Sequence, residues 1–349
     1  MALTGFFLLW NGINERFDTG DVSTKQSGSG TVRSGRSPVD MVFTEEPPGT
    51  VSESDSLSLK EALIHEKLIL GYRSVDSTEM TARYGELLLE TLADAGWEDE
   101  DVALVRMYLD DDRAGFLPYV LEKNSTHSET EELYAHQLTS ISVNKCMEFR
   151  RDAGADIADV AGRYEVPLEV VISILKVETD FGINKGKDPI FNIFGSLSVA
   201  DHPEVLKEAL GEEGEASEEQ KRRLLKRARW ARSQLHELVG LVSDGAGEWI
   251  LWVNGSWAGA FGLPQFIPSS YRPYGRDGDN DDIINLDNIK DATASIAYYL
   301  KSNGWKRNIS RSRMKKVILR YNHSTPYAEC VLALADSIKH RVGRMKDEG

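Results

Sequence analysis

The sequence predicts a mostly α-helical (α+β) protein with only small β elements. Ser217 and Gln220 have the spacing of a capping box, which marks the start of a helix. Alternating strand patterns are scarce along the chain. After Ser217, apolar residues recur at the three- and four-residue spacing of a buried helix face: Leu224, Leu225, Ala228, Ala231, Leu235, Leu238 and Val242.

The N-terminal part divides into two regions by composition. Residues 1–58 are rich in Ser, Gly, Thr and Asp and are predicted to be a disordered tail or linker. The apolar start at residues 5–10 fits an atypical export signal and a plain disordered start equally well. Residues 59–130 form a helical N-terminal region, with one helix up to Trp97, a second over 103–121 and a polar break at 123–128.

Charge and composition exclude several classes of protein. The 349 residues contain 41 Lys and Arg against 56 Asp and Glu, a net charge of −15, which argues against a nucleic-acid partner. No apolar run approaches about 18 residues, so no transmembrane helix is expected. Cys146 and Cys330 lack metal-ligand spacing and leave a single disulfide open.

The helix after Ser217 is strongly basic. Either it offers a cationic strip to an anionic polymer, or it has a solvated face beside the acidic segment 212–219, and we favour the second interpretation. Its basic residues are Lys221, Arg222, Arg223, Lys226, Arg227, Arg229 and Arg232.

A carboxylate interrupts the apolar face of another predicted helix. Residues 166–182 form this helix, with Pro167 at its first position and Gly182 as its C-cap. Glu178 occupies the next position of the apolar face. The residues of that face are Val170, Val171, Ile174 and Leu175.

Burial at a helix C-terminus would raise the pKa of Glu178, because both the apolar surroundings and the helix dipole disfavour its charged form. A carboxyl group that stays protonated near neutral pH can act as a general acid. The alternatives are a Glu that pairs with a buried Arg or a cap, and a Glu that extends to solvent.

An aspartate loop provides the first half of an EF-hand-like calcium site. Asp277, Asp279 and Asp281 occupy positions 1, 3 and 5, and Ile283 supplies the backbone carbonyl of position 7. Such alternation favours metal binding over a plain solvated turn.

The loop departs from the EF-hand pattern at two positions. Asp282 stands at position 6, where Gly makes the turn, and Asn288 stands at position 12, where a bidentate Glu normally binds. Asp287 and Asp291 are the carboxylates that could complete the coordination shell instead.

Residues 254–270 are dense in Gly and Ala, which lets a backbone approach a ligand closely. Ser256 and Gln265 offer hydrogen-bonding groups, and Trp257 and Phe266 offer flat apolar faces of the kind that suit sugar rings. A tight turn between core helices is the alternative interpretation.

Five blocks of sequence follow one another in a fixed order: Val177-Glu178-Thr179 with Gly182, 259–270, the Asp loop with 284–286, 297–305 and 320–328. Together they resemble the lytic murein transglycosylase B family over residues 131–343. The resemblance implies that residues 131–349 are a lysozyme-like, helix-rich catalytic domain. Members of the family cleave the β-1,4 bond between N-acetylmuramic acid and N-acetylglucosamine in peptidoglycan and leave 1,6-anhydromuramyl ends.

The resemblance also implies roles for individual residues. Glu178 is the single catalytic acid and base. Ser256, Gln265, Tyr321 and Asn322 line the cleft, and Phe266, Tyr299 and Tyr327 form its apolar walls. The calcium ligands are Asp277, Asp279, Asp281, the Ile283 carbonyl and Asp291.

The implied setting is the periplasm, with peptidoglycan strands and cell-wall enzyme complexes as partners, a monomeric state, a structural calcium ion and no organic cofactor. The sequence has no lipobox cysteine. It departs from the family at residues 201–205, where the usual dibasic pair is missing.

In the implied mechanism, neutral Glu178 protonates the glycosidic oxygen and then accepts the proton of the muramic acid C6 hydroxyl. Because the substrate supplies its own nucleophile, the second carboxylate of ordinary glycosidases is not needed. The alternatives are a muramidase that uses water instead, and a catalytically weak scaffold that binds peptidoglycan. A calcium sensor is disfavoured, because the loop is single.

Overall fold

Helices dominate the computed structural model, which describes residues 77–127, 132–210 and 217–347. The tail predicted at 1–58 and the start of the following helix lie outside these residues. The helices are α1 (Ser77–Asp94), α2 (Asp99–Leu109), α3 (Pro118–Thr126), α4 (Glu132–Ala135), α5 (Ser140–Arg163), α6 (Leu168–Thr179), α7 (Ile190–Ser198), α8 (Pro203–Leu210), α9 (Glu218–Leu241), α10 (Pro268–Tyr274), α11 (Ile289–Ser302), α12 (Arg311–Tyr321) and α13 (Thr325–Asp347).

The named strands of the described residues form one short antiparallel pair, so the predicted fold class is confirmed. Strand β1 (Asp188–Pro189) pairs with β2 (Asn254–Gly255), and Asp188 lies opposite Gly255. Gly186 makes this pairing possible, because a Cβ there would lie 1.8 Å from the Gly255 carbonyl oxygen. The pair therefore holds the chain after α6 against the Gly- and Ala-rich segment.

The prediction of one helix over 103–121 is wrong, since α2 ends at Leu109 and α3 begins at Pro118. The side chain of Asn192 binds the intervening chain. Its Oδ1 accepts a hydrogen bond from the Gly115 amide at 3.1 Å, and its Nδ2 donates to the Arg113 carbonyl at 2.8 Å. These contacts with a distant helix offset the backbone hydrogen bonds that a continuous helix would have made.

The polar break predicted at 123–128 is also wrong, because α3 continues to Thr126. Asn124 and Ser125 are buried there. The Asn124 amide donates to the carbonyls of Val120 at 2.7 Å and Trp257 at 3.0 Å. Polar residues are tolerated inside this helix because other parts of the fold satisfy them.

Helix α6 lies at the centre of the core and packs against α5, α11 and α13. Every residue from Val170 to Thr179 is buried, so this helix has no solvated face along its last ten positions. It begins one residue after the predicted position, behind Pro167, and Asp180 rather than Gly182 is its C-cap.

The long basic helix α9 begins with the predicted capping box, in which Ser217 and Gln220 exchange hydrogen bonds. Arg227 is buried. The described ion pairs of α9 support the interpretation of a solvated face. Among them, Lys221 pairs with Glu218, Arg223 with Glu219 and Arg232 with Asp201.

Cys146 and Cys330 are buried free thiols, so the disulfide left open by the sequence does not form here. Among the described residues, no helix combines the length and the apolar character that a membrane span requires.

Candidate active site

Glu178 lies in the last turn of α6 and is only 1% exposed, which confirms the predicted burial. The hydroxyl of Tyr327, in the first turn of α13, donates a hydrogen bond to its Oε1 atom. Ser324 places this tyrosine, because its hydroxyl accepts the Tyr327 amide at 3.2 Å and so caps α13. Two helices that are far apart in sequence thus meet at one carboxyl group.

Two buried tyrosines, Tyr321 and Tyr327, interact electrostatically with this carboxyl group. Desolvation raises the pKa of Tyr327 and of Tyr321 well above the ordinary value, and the charge of Glu178 raises both further. Both hydroxyls therefore stay protonated near neutral pH. Tyr321 uses its hydroxyl to bind the Pro264 carbonyl at 2.6 Å.

The Gly- and Ala-rich segment lies against the end of α6. Thr179, the residue after Glu178, contacts this segment, since its hydroxyl lies 3.5 Å from the Leu263 carbonyl. Within the segment, the Ser256 hydroxyl accepts the Ala260 amide at 3.1 Å and so closes a tight turn. Ser256 is fully buried, and its described contact is structural.

Gln265 sits in a left-handed backbone conformation, with φ at 51°. Its Nε2 donates to the Gly262 carbonyl at 3.0 Å and reaches the Lys185 carbonyl at 3.5 Å, on the loop that follows α6. Its Oε1 is buried and has no hydrogen-bond partner among the described residues. The same holds for Nδ2 of Asn322, whose Oδ1 accepts the Ser324 amide at 3.1 Å. Each side chain therefore keeps one unused polar atom.

Aromatic rings from three regions of the chain form a cluster. Tyr299 is 4.9 Å from Tyr321 between ring centroids, and Phe266 is about equally close to both, at 5.9 and 6.0 Å. Tyr299 lies in α11 and Tyr321 ends α12. The structure thus brings Phe266, Tyr299 and Tyr321 together, whereas the ring of Trp257 lies 5.2 Å from that of His127.

Sequence reasoning missed two aromatic neighbours. Tyr134, in the short helix α4, contacts the Tyr327 ring edge-on at 6.0 Å, and its presence also raises the pKa of Tyr327. Tyr274 lies 4.4 Å from Tyr299. No local pattern marks Tyr134, because a four-residue helix has no periodicity to read, whereas Tyr274 lies four residues after the end of the segment 254–270.

The Asp loop brings three of its predicted ligands together. One carboxylate oxygen from each of Asp277, Asp279 and Asp291 lies within 4.8 Å of the others. Asp281 is not part of this group, and its carboxylate accepts the Ile283 amide at 2.9 Å. Burial raises the pKa of Asp291, and the charges of Asp279 and Asp277 add to this effect.

The two departures from the EF-hand pattern have structural explanations. Asp282 adopts the left-handed conformation, with φ at 67°, that Gly supplies in other such loops. Asp and Asn tolerate this region better than most residues. Asn288 caps α11 by accepting the Lys290 amide at 2.9 Å and also donates to Asp279 at 2.6 Å. Asn288 therefore orients the carboxylate of Asp279, rather than taking the place of the Glu ligand at position 12.

The oxygen donors of this loop suit a hard divalent cation. Oδ1 of Asp279 is buried without a hydrogen-bond partner among the described residues, as expected for an atom that faces a metal ion. Asp291 is 1% exposed and accepts the amides of Gly278 at 2.8 Å and Asn285 at 2.7 Å. The residues present thus fit the predicted ion.

The Asp loop is attached to the chain around Glu178 at two points. The Leu263 amide donates to the Leu286 carbonyl at 2.9 Å. Lys185, on the loop after α6, forms an ion pair with Asp287 at 3.0 Å. The predicted ligand set and the candidate catalytic carboxyl therefore belong to one connected region.

The stretch that lacks the dibasic pair is itself held by arginines. Asp201 forms a two-pronged pair with Arg232, with distances of 2.9 and 2.8 Å, and Glu204 pairs with Arg83. Basic residues do follow the candidate catalytic helix, but they stand nearer to its end, at Lys185 and Lys187. Lys187 is one of them, and its ammonium lies 5.0 Å from the Tyr119 ring centroid.

A helical fold built around one buried carboxyl group, with aromatic side chains beside it, is the arrangement that the lysozyme-like resemblance implies. The family of transglycosylase SLT domains matches residues 93–315. The chain therefore belongs to that family. The match begins at residue 93, so it includes part of the helical region before residue 131.

Known relatives agree with this assignment. The chain is 32% identical over 142 residues to membrane-bound lytic murein transglycosylase B of Escherichia coli K12, an alignment that spans 41% of this chain and 33% of the relative. The chain thus spans about a third of that curated relative.

Solved structures show the same fold. Soluble lytic transglycosylase SltB1 from Pseudomonas aeruginosa superposes with a TM-score of 0.57 at 24% identity, over 75% of this chain and 99% of that one. The Escherichia coli lytic transglycosylase Slt35 in complex with calcium gives a TM-score of 0.54 at 22% identity, over 74% of this chain and 93% of that one.

Proposed function

We propose that this protein is a lytic murein transglycosylase that cleaves the β-1,4 bond between N-acetylmuramic acid and N-acetylglucosamine and forms a 1,6-anhydromuramyl end. The observation that carries the proposal is Glu178, a fully buried carboxyl group that accepts a tyrosine hydroxyl hydrogen bond at the end of a central helix. Membership of the transglycosylase family supports the substrate class.

Glu178 acts first as the acid. Because the Tyr327 hydroxyl donates to Oε1, the proton of the neutral carboxyl resides on Oε2. Oε2 gives this proton to the glycosidic oxygen while the bond from that oxygen to C1 of the muramic acid breaks. The N-acetylglucosamine side leaves as a neutral alcohol, and the cation that develops at C1 is stabilised by the N-acetyl group of the substrate.

Glu178 then acts as the base. As a carboxylate, it accepts the proton of the C6 hydroxyl while that oxygen bonds to C1 of its own sugar. The ring closes without water, and Glu178 regains the proton it gave away. The hydrogen bond from Tyr327 favours the carboxylate at this stage, whereas burial favours the neutral acid before it. One residue can therefore serve both steps.

The remaining candidate residues hold the sugar. The unused Oε1 of Gln265 and the unused Nδ2 of Asn322 supply an acceptor and a donor for the polar groups of the glycan. Phe266, Tyr299, Tyr321 and Tyr327 provide apolar walls against sugar faces. Ser256 contributes by shaping the turn that carries this segment.

Digestion of purified murein tests the proposal. Wild type should release fragments that end in 1,6-anhydromuramic acid, lighter by one water molecule than hydrolytic products in mass spectrometry. Glu178→Gln should release roughly 10³-fold less of them. Products with a reducing end would show a muramidase, and intact murein with bound protein would show a scaffold; either result overturns the proposal.

We also propose that the Asp loop binds a structural Ca²⁺ ion. Asp277, Asp279 and Asp291 supply carboxylate oxygens. Asp281, whose carboxylate lies outside this group in the structure, and the Ile283 carbonyl would complete the shell. The cation would offset the mutual repulsion of these carboxylates and fix the loop that is tied to Leu263 and Lys185. Slt35, which has the same fold, was solved in complex with calcium.

The proposed substrate places the protein in the periplasm, where murein lies outside the inner membrane. We propose that it acts there as a monomer and joins cell-wall enzyme complexes. Cell fractionation and light scattering of the purified chain test the location and the monomeric state, and a cytoplasmic pool or a stable dimer would contradict them.

A further inference from the structure

The turn that follows Glu178 has an unusual backbone. Asp180, Phe181 and Gly182 all have positive φ angles, of 49°, 59° and 96°. Positive φ is costly for residues other than Gly, and it persists only where the surroundings hold it in place. This strained turn begins two residues after the candidate catalytic carboxyl.

Two lysines hold the first residue of this turn. Lys176 Nζ lies 3.0 Å from one carboxylate oxygen of Asp180, and Lys145 Nζ lies 2.7 Å from the other. Lys176 is 5% exposed and also donates to Oε1 of Gln137 at 2.8 Å. Lys176 belongs to α6, Lys145 to α5 and Gln137 to the 3₁₀ turn before α5. This ion cluster therefore connects the end of α6 to its neighbours.

The cluster runs against the usual local preferences. An acidic residue at a helix C-terminus meets the negative end of the helix dipole, and a buried lysine carries a desolvation cost. Burial raises the pKa of Asp180, but hydrogen bonds and charges from Lys145 and Lys176 outweigh it, so the net pKa is lowered and the carboxylate stays charged. Local rules are commonly broken in this way beside functional sites.

We propose that Lys145, Asp180 and Lys176 are positioning residues for Glu178. The two ammonium groups tie the Asp180 carboxylate to α5 and to α6, and they stop the last turn of α6 from fraying. That turn carries Glu178, so the cluster sets the direction of its carboxyl toward Tyr327 and the substrate. This inference rests on the proposed catalytic role of Glu178.

The neighbouring contacts show why the cluster matters most at Asp180. Phe181 is fixed independently, because its ring stacks on Phe149 at 4.1 Å. Gly182 is fixed by its amide, which donates to the Thr179 hydroxyl at 3.0 Å. In the described contacts, the Asp180 side chain is held by the two lysines.

Substitutions at Asp180 separate the charge from the backbone conformation. Asp180→Gly keeps the positive φ without strain. Asp180→Asn keeps the shape of the side chain, and Asn also tolerates positive φ. If the ion cluster positions Glu178, both variants lose about 10-fold to 100-fold in kcat on murein fragments, the cost of a misplaced catalytic group. KM should change by less than about 2-fold, because the sugar contacts remain.

Lysine variants complete the test. Lys176→Met should lose kcat like Asp180→Asn, and the double variant should lose no more than either single variant, since the two side chains act as one unit. Lys301→Met is the matched control, because Lys301 pairs with Glu165 on the surface; it should keep wild-type kcat. Should the buried substitutions prevent folding, Lys145→Met serves instead, because Lys145 is 45% exposed.

Two kinetic results would overturn the inference: wild-type kcat in Asp180→Gly or Lys145→Met, or losses that simply add in the double variant. A crystal structure of Asp180→Gly gives a readout that does not depend on catalysis, and the contact between Glu178 and Tyr327 should be lost or displaced there. A wild-type protein that makes no anhydro product would refute the proposed function. A contact between Glu178 and Tyr327 that is retained in Asp180→Gly would refute this inference alone.

Discussion

Two acidic sites in this protein, each with one buried carboxyl group, are stabilised by opposite means. Glu178 lies among apolar and tyrosine side chains, where the Tyr327 hydroxyl donates to it. The aspartates of the loop lie among backbone amides and one another, and Asp291 accepts two of those amides. The first environment favours a carboxyl that can hold a proton. In the second, burial and the neighbouring carboxylates raise the pKa of Asp291, and a bound cation would offset that repulsion.

The comparison shows that burial alone does not predict the role of an acid. Asp291 and Glu178 are each 1% exposed. What differs is the number of donors around each group and the number of other carboxylates within reach. The following predictions test this difference, from the largest expected effect to the smallest.

Glu178→Gln should reduce murein cleavage by roughly 10³-fold, the range that general acid–base groups contribute. The melting temperature should be equal to or above that of wild type, because an amide is easier to bury than a carboxyl group. Glu169→Gln in the first turn of the same helix is the matched control and should retain activity. Cleavage of fluorescently labelled murein measures the activity of both variants. Near-normal cleavage by Glu178→Gln would contradict the acid–base role of Glu178.

Tyr327→Phe should reduce kcat by about 10-fold, because it removes the hydrogen bond that favours the carboxylate in the second step. The ring, and with it the apolar wall, remains. Tyr108→Phe, at another buried tyrosine in α2, should leave kcat unchanged. Steady-state kinetics on soluble murein fragments check this prediction. An unchanged kcat in Tyr327→Phe would show that the hydroxyl does not act on Glu178.

Calcium should raise the melting temperature of wild type by about 5 °C at saturation, and chelation should reverse the shift. Asp279→Asn should abolish the shift, because it removes a carboxylate of the predicted ligand set. Asp282→Asn should keep it, since Asn also tolerates the positive φ of that position. Differential scanning calorimetry with and without calcium separates these outcomes, and an equal response in all three proteins would rule out the site.

His127 provides the smallest effect. Burial, together with the charges of Lys123 and Arg223, lowers its pKa from 6.5 to about 4. A histidine with a depressed pKa stabilises the fold above its unfolded pKa, and this contribution is lost as pH falls from about 6.5 to about 4. His127→Gln should therefore lose less stability than wild type over that interval, as measured by urea unfolding. Parallel curves for the two proteins would contradict this.

The sequence predicted helices wherever local signals agreed. The capping box at Ser217 and the apolar face that leads to Glu178 follow from spacing alone, because helix geometry repeats regardless of the rest of the fold. The failures occurred where distant contacts replace local ones. Asn192 binds the chain between α2 and α3, and the Trp257 carbonyl satisfies Asn124 inside α3.

The amino-acid sequence by itself determined the helical class, the position of Glu178 on an apolar face and the composition of the Asp loop, since these depend on residue types at fixed spacing. Only the tertiary structure decided that Tyr134 and Tyr327 meet beside Glu178, that Asn288 orients Asp279, and that two lysines hold Asp180. Most of these contacts join residues that are separated in the chain, and no local pattern records them. The exception is the pair of Lys176 and Asp180, which has the i,i+4 spacing of a helix.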